Sequence, residues 1–162
     1  MLFLLFQLDA DRYVVPARDV LEVLPLVSMK ALPGAPTGIV GVANYRGQAV
    51  PVLDLVLLAL GRPAARRVST RLLIINFPHA GGRDRLLAVM VERATELLAK
   101  DPGEFRPLGL VLAGARYLGP VVQDPRGMIQ RVEVAALLTD ELCAALYPDN
   151  EHDVPSVAAI AP

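Results

Sequence analysis

The chain has 162 residues, of which 54% are hydrophobic and 20% charged, and its 16 basic and 17 acidic residues leave a formal net charge of −1. This length predicts one domain, or two very small ones that share a core. The balanced charge argues against binding to nucleic acid or to an anionic membrane surface, and no apolar run reaches the roughly 18 residues that a membrane-spanning helix needs.

Turn-forming residues are frequent, with 12 glycines and 14 prolines, which favours β structure with few long helices. The apolar start, residues 1–6, lacks the basic leader and the small-residue cleavage site of a signal peptide. We interpret it as the first strand of a cytoplasmic protein. The single cysteine, Cys143, cannot form an internal disulfide and has no second thiol for a metal site.

The first half of the chain predicts two hairpins and a short helix. Four apolar segments between turn residues are the predicted strands: residues 2–8, 13–15, 39–45 and 49–53. Arg46 and Gly47 form the turn of the second hairpin, where glycine supplies a positive φ. Asp54 then has the position of a helix N-cap, and Gly61 ends the short leucine-rich helix. A basic connector, 62–71, follows.

The same order of elements recurs in the second half, with predicted strands at 72–77 and 86–91 around a glycine-containing turn at 79–84. Glu96 precedes an apolar pair as Glu22 does, 74 positions earlier. The turn glycine Gly127 follows Gly47 by 80 positions, and an arginine precedes each. Offsets near half the chain length predict a duplicated β unit, whose two copies pack together because each is too short to bury a core alone. The alternative is that any β protein repeats strand, turn and strand.

The end of the chain carries a different pattern. Residues 139–147 are predicted as a terminal helix, because Leu142 and Leu146 fall on one face at helical spacing. Pro148 ends this pattern. The segment 148–162 has no periodicity and is expected to be a mobile tail.

Residues suited to catalysis or metal binding are sparse. His79 and His152 lie in a turn and in the terminal segment, each without a second histidine three or four positions away to share a metal. The sequence holds no Gly-x-Ser-x-Gly motif and no phosphate-binding glycine loop. We therefore expect a protein that is not an enzyme and that has neither a metal nor a cofactor.

Four arginines cluster in the connector and offer contacts to phosphate: Arg62, Arg66, Arg67 and Arg71. The segment holds no aromatic residue that would stack on nucleic-acid bases. A solvated connector is therefore the favoured interpretation, and no nucleic-acid partner is expected.

Asn44 and Arg46 are polar interruptions of a strongly apolar hairpin. A partly buried guanidinium is costly unless a planar acceptor meets it, and Glu22, the acid of the preceding strand pair, is the candidate acceptor. Two hypotheses remain open. Either Glu22 and Arg46 form an internal clamp that holds one hairpin to another, or Arg46 faces a partner protein.

Three motifs relate the chain to a known family: Gly-Val-x-Asn-x-Arg-Gly at 41–47, Val-Pro-Val-x-Asp-Leu at 50–55, and Tyr13 leading into 19–23. Through these motifs the chain resembles the CheW-like chemotaxis coupling proteins over roughly 2–147. The resemblance implies an all-β fold of two SH3-like five-stranded β barrels packed together, with short helices and a C-terminal helix.

The resemblance also implies a domain organisation. The CheW-like domain spans 1–147. One sub-barrel is expected at about 15–65 and the other at 1–14 plus 66–147.

In function, the resemblance implies a non-catalytic adaptor. It would link the cytoplasmic tip of methyl-accepting chemoreceptors to the regulatory domain of a CheA-type histidine kinase, in the cytoplasm and at receptor arrays on the inner membrane, without inserting into the membrane. Val20 and Gly41 match positions that line the family's groove for the receptor tip. Asn44, Arg46 and Gly47 match its partner-binding surfaces.

The sequence departs from the family at three places. Glu92 and Glu133 stand where the family usually has aspartate, and Gln130-Arg131 is polar in a strand that is usually apolar. A CheW-like paralogue from a non-swimming chemosensory array, for surface sensing or pili, is therefore an alternative. A small-molecule-binding or enzymatic β barrel with its pocket between the halves, and a self-associating structural module, are alternatives from other classes.

Overall fold

The computed structural model describes residues 1–78 and 83–148, without the side chain of residue 95. In this part of the chain the strands are β1 (Leu2–Leu8), β2 (Asp11–Pro16), β3 (Val20–Pro25), β4 (Met29–Lys30), β5 (Ile39–Tyr45), β6 (Gln48–Asp54), β7 (Arg71–Phe77), β8 (Arg85–Ala99), β9 (Leu118–Asp124) and β10 (Gly127–Val132). The helices are α1 (Leu55–Leu60) and α2 (Asp140–Leu146), with 3₁₀ turns at Ala17–Asp19, Pro102–Glu104 and Val134–Ala136.

Most predicted elements are confirmed with small shifts of their ends. The predicted strand at 86–91 is the first part of a strand that is 15 residues long. Much of the predicted turn at 79–84, and the predicted tail apart from Pro148, lie outside the described residues.

The strands form two lobes that share β8. In the first lobe the order is β3, β7, β8, β6, β5 and β4, and β8 contributes residues 85–91. In the second lobe the order is β8, β1, β2, β10 and β9, and β8 contributes residues 92–99. Arg93, whose φ is +50°, lies where β8 passes from one lobe to the other.

Each half of the chain contributes to both lobes. The hairpin β1–β2 lies in the second lobe, whereas β5–β6, from the same half, lies in the first. The second half of the chain is divided in the same way, because β7 and the start of β8 join the first lobe while β9–β10 joins the second. A parallel pairing connects the two halves in each lobe, β6 with β8 and β10 with β2. The duplicated order read from the sequence is therefore present, but the copies are interleaved.

This interleaving divides the chain differently from the predicted sub-barrels at 15–65 and at 1–14 plus 66–147. Residues 71–91 pair with strands of the first lobe rather than with β1 and β2. In both lobes, within the described residues, the ladder of strand pairing stays open, so backbone pairing alone does not complete two closed barrels. A single bridge between Arg106 and Val121 adds to the open side of the second lobe.

The two faces of β1 belong to different cores, which explains why its sequence is apolar without alternation. Phe3 and Leu5 pack in a small core inside the second lobe, together with Phe105. Leu4 and Phe6 point the opposite way into the larger core, which extends through the first lobe to the C-terminal helix. A strand buried on both faces holds the lobes together.

Helix α1 begins and ends as predicted. The buried Asp54 accepts from the backbone N–H of Leu57 at 3.1 Å and, through its other oxygen, from the N–H of Ala64 at 2.9 Å. Gly61 ends the helix with a φ of +74°, a conformation that favours glycine. Asp54 therefore fixes both the start of α1 and the connector that leaves it.

The C-terminal region packs on β8. Thr139 caps α2 by accepting from the N–H of Leu142 at 3.2 Å, and Tyr147 at its end donates to the carbonyl of Leu86 at 2.8 Å. Glu133 has the chain position that matches Asp54, but it caps no helix, and a 3₁₀ turn follows it. Neither helix of the described chain has the length and apolar content needed to cross a membrane.

Candidate docking surface

The β5–β6 turn is a tight two-residue connection that projects into solvent. Arg46 and Gly47 have φ of +50° and +83° between the paired residues Tyr45 and Gln48, which is the backbone that two-residue hairpins favour. Asn44 accepts from the N–H of Gly47 at 2.8 Å and braces the turn. We call the exposed residues Asn44, Arg46 and Gly47 the turn surface.

Glu22 on β3 meets this turn. Its Oε2 accepts from the Tyr45 hydroxyl at 2.6 Å and from Arg46 Nη2 at 3.2 Å. The Arg46 guanidinium also lies 5.3 Å from the centre of the Tyr45 ring. Since β3 stands at one end of the first lobe's strand order and β5 near the other, these side chains bridge the open side of the lobe.

The Arg46 guanidinium is exposed, whereas its place in an apolar hairpin predicted partial burial. The Arg46 side chain is 75% exposed and that of Glu22 is 35% exposed. The turn extends beyond the strands, so the guanidinium keeps most of its hydration. An ion pair this exposed contributes only about 0.2–1 kcal/mol to stability.

Tyr45 is the member of this group that sequence reasoning missed. Its hydroxyl makes the shorter of the two contacts to Glu22. The hydrogen bond to Glu22, with some burial, raises the pKa of Tyr45, so its hydroxyl keeps its proton. The sequence did contain a sign of this contact. Tyr45 directly precedes Arg46 in a two-residue turn, where an aromatic ring can make a cation–π contact with the guanidinium.

The two predicted groove residues lie in different settings. Val20 is half-buried at the start of β3, where it pairs with Ile75. Gly41 is buried, and a Cβ placed there would stand 2.6 Å from the carbonyl oxygen of Lys30. The glycine therefore lets β4 approach β5, whereas a role in lining a groove remains a prediction for both residues.

The outer face of β3 is apolar. Leu21 and Val23 are 50% and 40% exposed. They alternate with Glu22, so they point away from the turn contact. Exposed aliphatic side chains on a strand that pairs on one side only, within the described residues, are typical of a contact surface.

The second lobe repeats the contact between an acid and a turn arginine. Arg126 Nη2 lies 3.6 Å from Glu96 Oε2, and Asp124 accepts from the Arg126 N–H at 2.8 Å, much as Asn44 braces its own turn. Glu96 and Arg126 are the residues that the offsets of 74 and 80 positions relate to Glu22 and Arg46. The two ion pairs thus support the predicted duplication.

The two turns differ in their surroundings. Pro125 stands at the position that matches Tyr45, so the second turn has no aromatic ring beside its arginine. Instead, Arg12 donates to both carboxylate oxygens of Asp124. The first turn therefore combines a ring with an exposed cation, and the second is held by a nearly buried ion pair.

Groups that could hold a metal ion are not assembled in the described part of the chain. It contains no cluster of three or more histidine, cysteine, aspartate or glutamate side chains arranged for a metal ion. Burial raises the pKa of the half-buried Cys143 thiol, which disfavours the reactive thiolate. Between the lobes, a cavity of about 10 Å³ is lined by aliphatic side chains and Phe6, and it is too small for an organic ligand.

Comparison with known proteins supplies the family. A model of the CheW-like domain matches residues 2–142. The chain belongs to the CheW-like domain family. This CheW-like domain is 24% identical over 141 residues to the chemotaxis protein CheW of Klebsiella aerogenes, a match that covers 86% of this chain and 82% of that protein.

Two further relatives agree with this assignment. Over 54 residues this CheW-like domain is 43% identical to protein FrzA of Myxococcus xanthus, covering 33% of this chain and 34% of FrzA. The crystal structure of the scaffolding protein TtCheW from Thermoanaerobacter tengcongensis matches with a TM-score of 0.71 at 23% identity, covering 82% of this chain and 84% of that one. The structural match shows a shared fold.

The departures from the family pattern have visible local effects. Glu92 accepts from Arg62 Nη2 at 3.0 Å and from the N–H of Ala65 at 3.4 Å, so its longer side chain reaches the connector. Arg131 lies 5.8 Å from the centre of the Phe3 ring and 3.6 Å from Glu133 Oε1. Arg131 is thus placed between a ring and an acid, while Gln130 Nε2 donates to the carbonyl of Gly119 at 3.1 Å.

Proposed function

We propose that this CheW-like domain is a non-catalytic adaptor that couples the cytoplasmic tip of methyl-accepting chemoreceptors to the regulatory domain of a CheA-type histidine kinase. The observation that carries the proposal is the turn surface, where Arg46 is held by Glu22 and Tyr45 yet remains 75% exposed. Membership of the CheW-like family supports this class of partner.

An exposed arginine held in one orientation is suited to docking. The contacts to Glu22 and Tyr45 bias its rotamers towards one orientation, so less side-chain entropy is lost when a partner binds. Its charge, little desolvated in the free protein, directs the encounter with an acidic or planar partner group. The clamp and the docking hypotheses are therefore compatible, because the contact to Glu22 orients the group that meets the partner.

Coupling requires that two partners bind to the protein at once. We assign the kinase and receptor contacts to the region of Val20, Gly41, Asn44, Arg46 and Gly47, with the receptor tip nearest Val20. In this proposal each lobe is an SH3-like barrel of five strands, with β3 and β4 counted as one strand of the first lobe. The first is completed where the chain leaving β3 returns as β4 against β5, and the second where Arg106 bridges to β9.

The place of action follows from the partners. We propose a cytoplasmic protein recruited to receptor arrays at the inner membrane through the receptor tip. This location does not depend on insertion into the bilayer.

The test is reconstitution from purified parts. The protein is mixed with a receptor-tip fragment and with a kinase regulatory domain, and complexes are followed by size-exclusion chromatography with light scattering. A ternary complex is expected. Absence of binding to either fragment contradicts the proposal, and large assemblies of the protein alone would support a self-associating module instead.

A variant at Val20 separates the two contacts. Val20→Lys places a charge at the half-buried start of β3, and receptor binding is expected to fall while kinase binding persists. Thermal unfolding of the variant shows whether the fold is retained. Equal loss of both partners in a folded variant would show that the receptor contact lies elsewhere.

A second candidate function is the same coupling role in an array that does not control swimming. It is favoured by the departures from the family pattern at Glu92, Glu133 and Gln130-Arg131. Capture from the native lysate, followed by identification of the kinase and receptor that are retained, distinguishes the two. A swimming-chemotaxis kinase as the main partner would exclude this candidate.

A further inference from the structure

A polar cleft lies away from the turn surface, at the point where β8 passes between the lobes. It encloses about 260 Å³ and is lined by Asp9, Arg62, Ala65, Arg67, Ser69, Glu92 and Arg93. Three segments build it: the β1–β2 turn, the connector between α1 and β7, and the centre of β8. None of the turn-surface residues contributes to it.

The cleft carries more positive than negative charge. Arg62 Nη2 forms ion pairs with both acids of the cleft. It lies 3.0 Å from Glu92 Oε1 and 3.8 Å from Asp9 Oδ1. Among the described residues, Arg93 Nη1 donates to the neutral amide oxygen of Gln7 at 3.1 Å and to no carboxylate. The exposed Arg67 side chain has no ion-pair partner within residues 1–78 and 83–148. In the part of the chain that the structure describes, two guanidinium groups therefore line the cleft without a carboxylate partner.

The backbone places one of these groups there at a conformational cost. Asp9 and Arg93 have φ of +57° and +50°. Asp9 lies in a two-residue hairpin turn that favours this conformation. Arg93 lies where the pairing of β8 with β1 is irregular, between Glu92 and Glu96, and its N–H donates to the carbonyl of Ser69 at 3.0 Å. An unfavourable backbone conformation at a long charged residue that lines a cleft is typical of ligand sites.

We propose that this cleft binds a small phosphate-type oxyanion. Arg67 and Arg93 would supply planar guanidinium donors that match its oxygens, and the Ser69 hydroxyl would supply a neutral donor. Glu92 holds Arg62 at the wall of the cleft. The volume suits inorganic phosphate or the phosphate group of a small metabolite.

The structure separates the connector arginines that the sequence grouped together. Arg66 is exposed and lies outside the cleft, and Arg71 donates to the backbone carbonyl of Val68. Only Arg62 and Arg67 line the cleft, where Arg93 joins them from a distant part of the chain. The solvated-connector interpretation therefore holds for Arg66 and is revised for Arg67.

Isothermal titration calorimetry at constant ionic strength tests the proposal, with inorganic phosphate and glycerol 3-phosphate as separate probes. Saturable binding with one site per chain is expected for at least one probe, and tighter binding of the ester would identify a phosphorylated metabolite as the natural ligand. Arg67→Ala is expected to weaken binding by about tenfold or more. Arg66→Ala removes the same charge from the same connector and is expected to leave binding unchanged.

Arg93→Gly is the most specific variant. Glycine adopts a φ near +50° without strain, so the fold is retained while the guanidinium is removed. Loss of phosphate binding with an unchanged thermal unfolding midpoint assigns the effect to the Arg93 side chain. No saturable binding of either probe at millimolar concentration, or an equal loss in Arg66→Ala, would overturn the proposal.

Discussion

Arg12 and Asp124 lie 112 positions apart in the chain, yet they form a two-point ion pair, with Arg12 Nη1 at 2.8 Å and Nη2 at 2.5 Å from the two carboxylate oxygens. Arg12 Nη2 also donates to the carbonyl of Gly127 at 3.2 Å. This contact holds the β9–β10 turn against β2. The hydrogen bonds from Arg12 lower the pKa of Asp124 well below its usual range and raise that of Arg12.

The first prediction concerns acid stability. Because the pKa of Asp124 is lower in the folded than in the unfolded chain, its charged form stabilises the fold above the unfolded-state pKa of about 3.9, and this contribution is lost as the pH falls further. We expect the thermal unfolding midpoint of the native protein to exceed that of Asp124→Asn at neutral pH.

The difference should shrink as the pH falls below about 4, where the aspartate of the unfolded chain becomes protonated. Circular dichroism melts across this range measure it. A gap between the two proteins that stays constant with pH would show that Asp124 acts through packing rather than through its charge.

The second prediction concerns the turn surface. Arg46→Ala is expected to lower the free energy of unfolding by less than about 1 kcal/mol, because the pair with Glu22 is exposed, while binding to the kinase and receptor fragments falls by about tenfold or more. Arg126→Ala is the matched control, since it breaks the equivalent exposed pair with Glu96 in the other lobe. If Arg46→Ala unfolds the protein, the internal clamp is its main role.

The third prediction concerns close backbone packing. Gly41→Ala is expected to cost about 1–3 kcal/mol of unfolding free energy, because the new Cβ would stand 2.6 Å from the backbone oxygen of Lys30 and would displace β4. Gly114→Ala is the control, since nothing lies within 4 Å of its Cβ position. Denaturant unfolding measures both, and similar small effects would mean that β4 yields at little cost.

The fourth prediction concerns the cap of α1. Asp54→Ala removes a helix cap, which costs about 0.5–2 kcal/mol, and leaves the N–H of the buried Ala64 without its acceptor, which costs a further 1–3 kcal/mol or so. Thr139→Ala removes only an exposed cap of the terminal helix and should cost about 1 kcal/mol. Equal losses of unfolding free energy would exclude the second role of Asp54.

The sequence alone was sufficient for contacts that depend on local pattern. The hairpin turn at Arg46-Gly47 and the cap at Asp54 follow from backbone preferences of single residues. The contact of Glu22 with Arg46, and the family itself, followed from residue types at recognisable positions. The exposure of Arg46 did not follow, because it depends on how far the turn extends beyond neighbouring strands.

The assignment of strands to the two lobes could not be predicted from the sequence, because it depends on tertiary packing. Both halves of the chain have the same order of strands. That order is compatible with two arrangements: each half could form its own lobe, or each half could contribute hairpins to both lobes. The exchange is set by burial, since β1 is apolar on both faces and must lie between two cores. β8 runs through both lobes, because its first part pairs with β6 and β7 and its second part pairs with β1.

The polar cleft also could not be predicted from local sequence patterns. Arg67 and Arg93 are far apart in the sequence, and no local pattern relates them. They meet because β8 crosses between the lobes at Arg93, beside the connector that Glu92 and Asp54 hold in place. The sequence by itself determined the strands, the turns and the family, whereas only the tertiary structure decided which charged side chains share a surface, since that depends on contacts between distant segments.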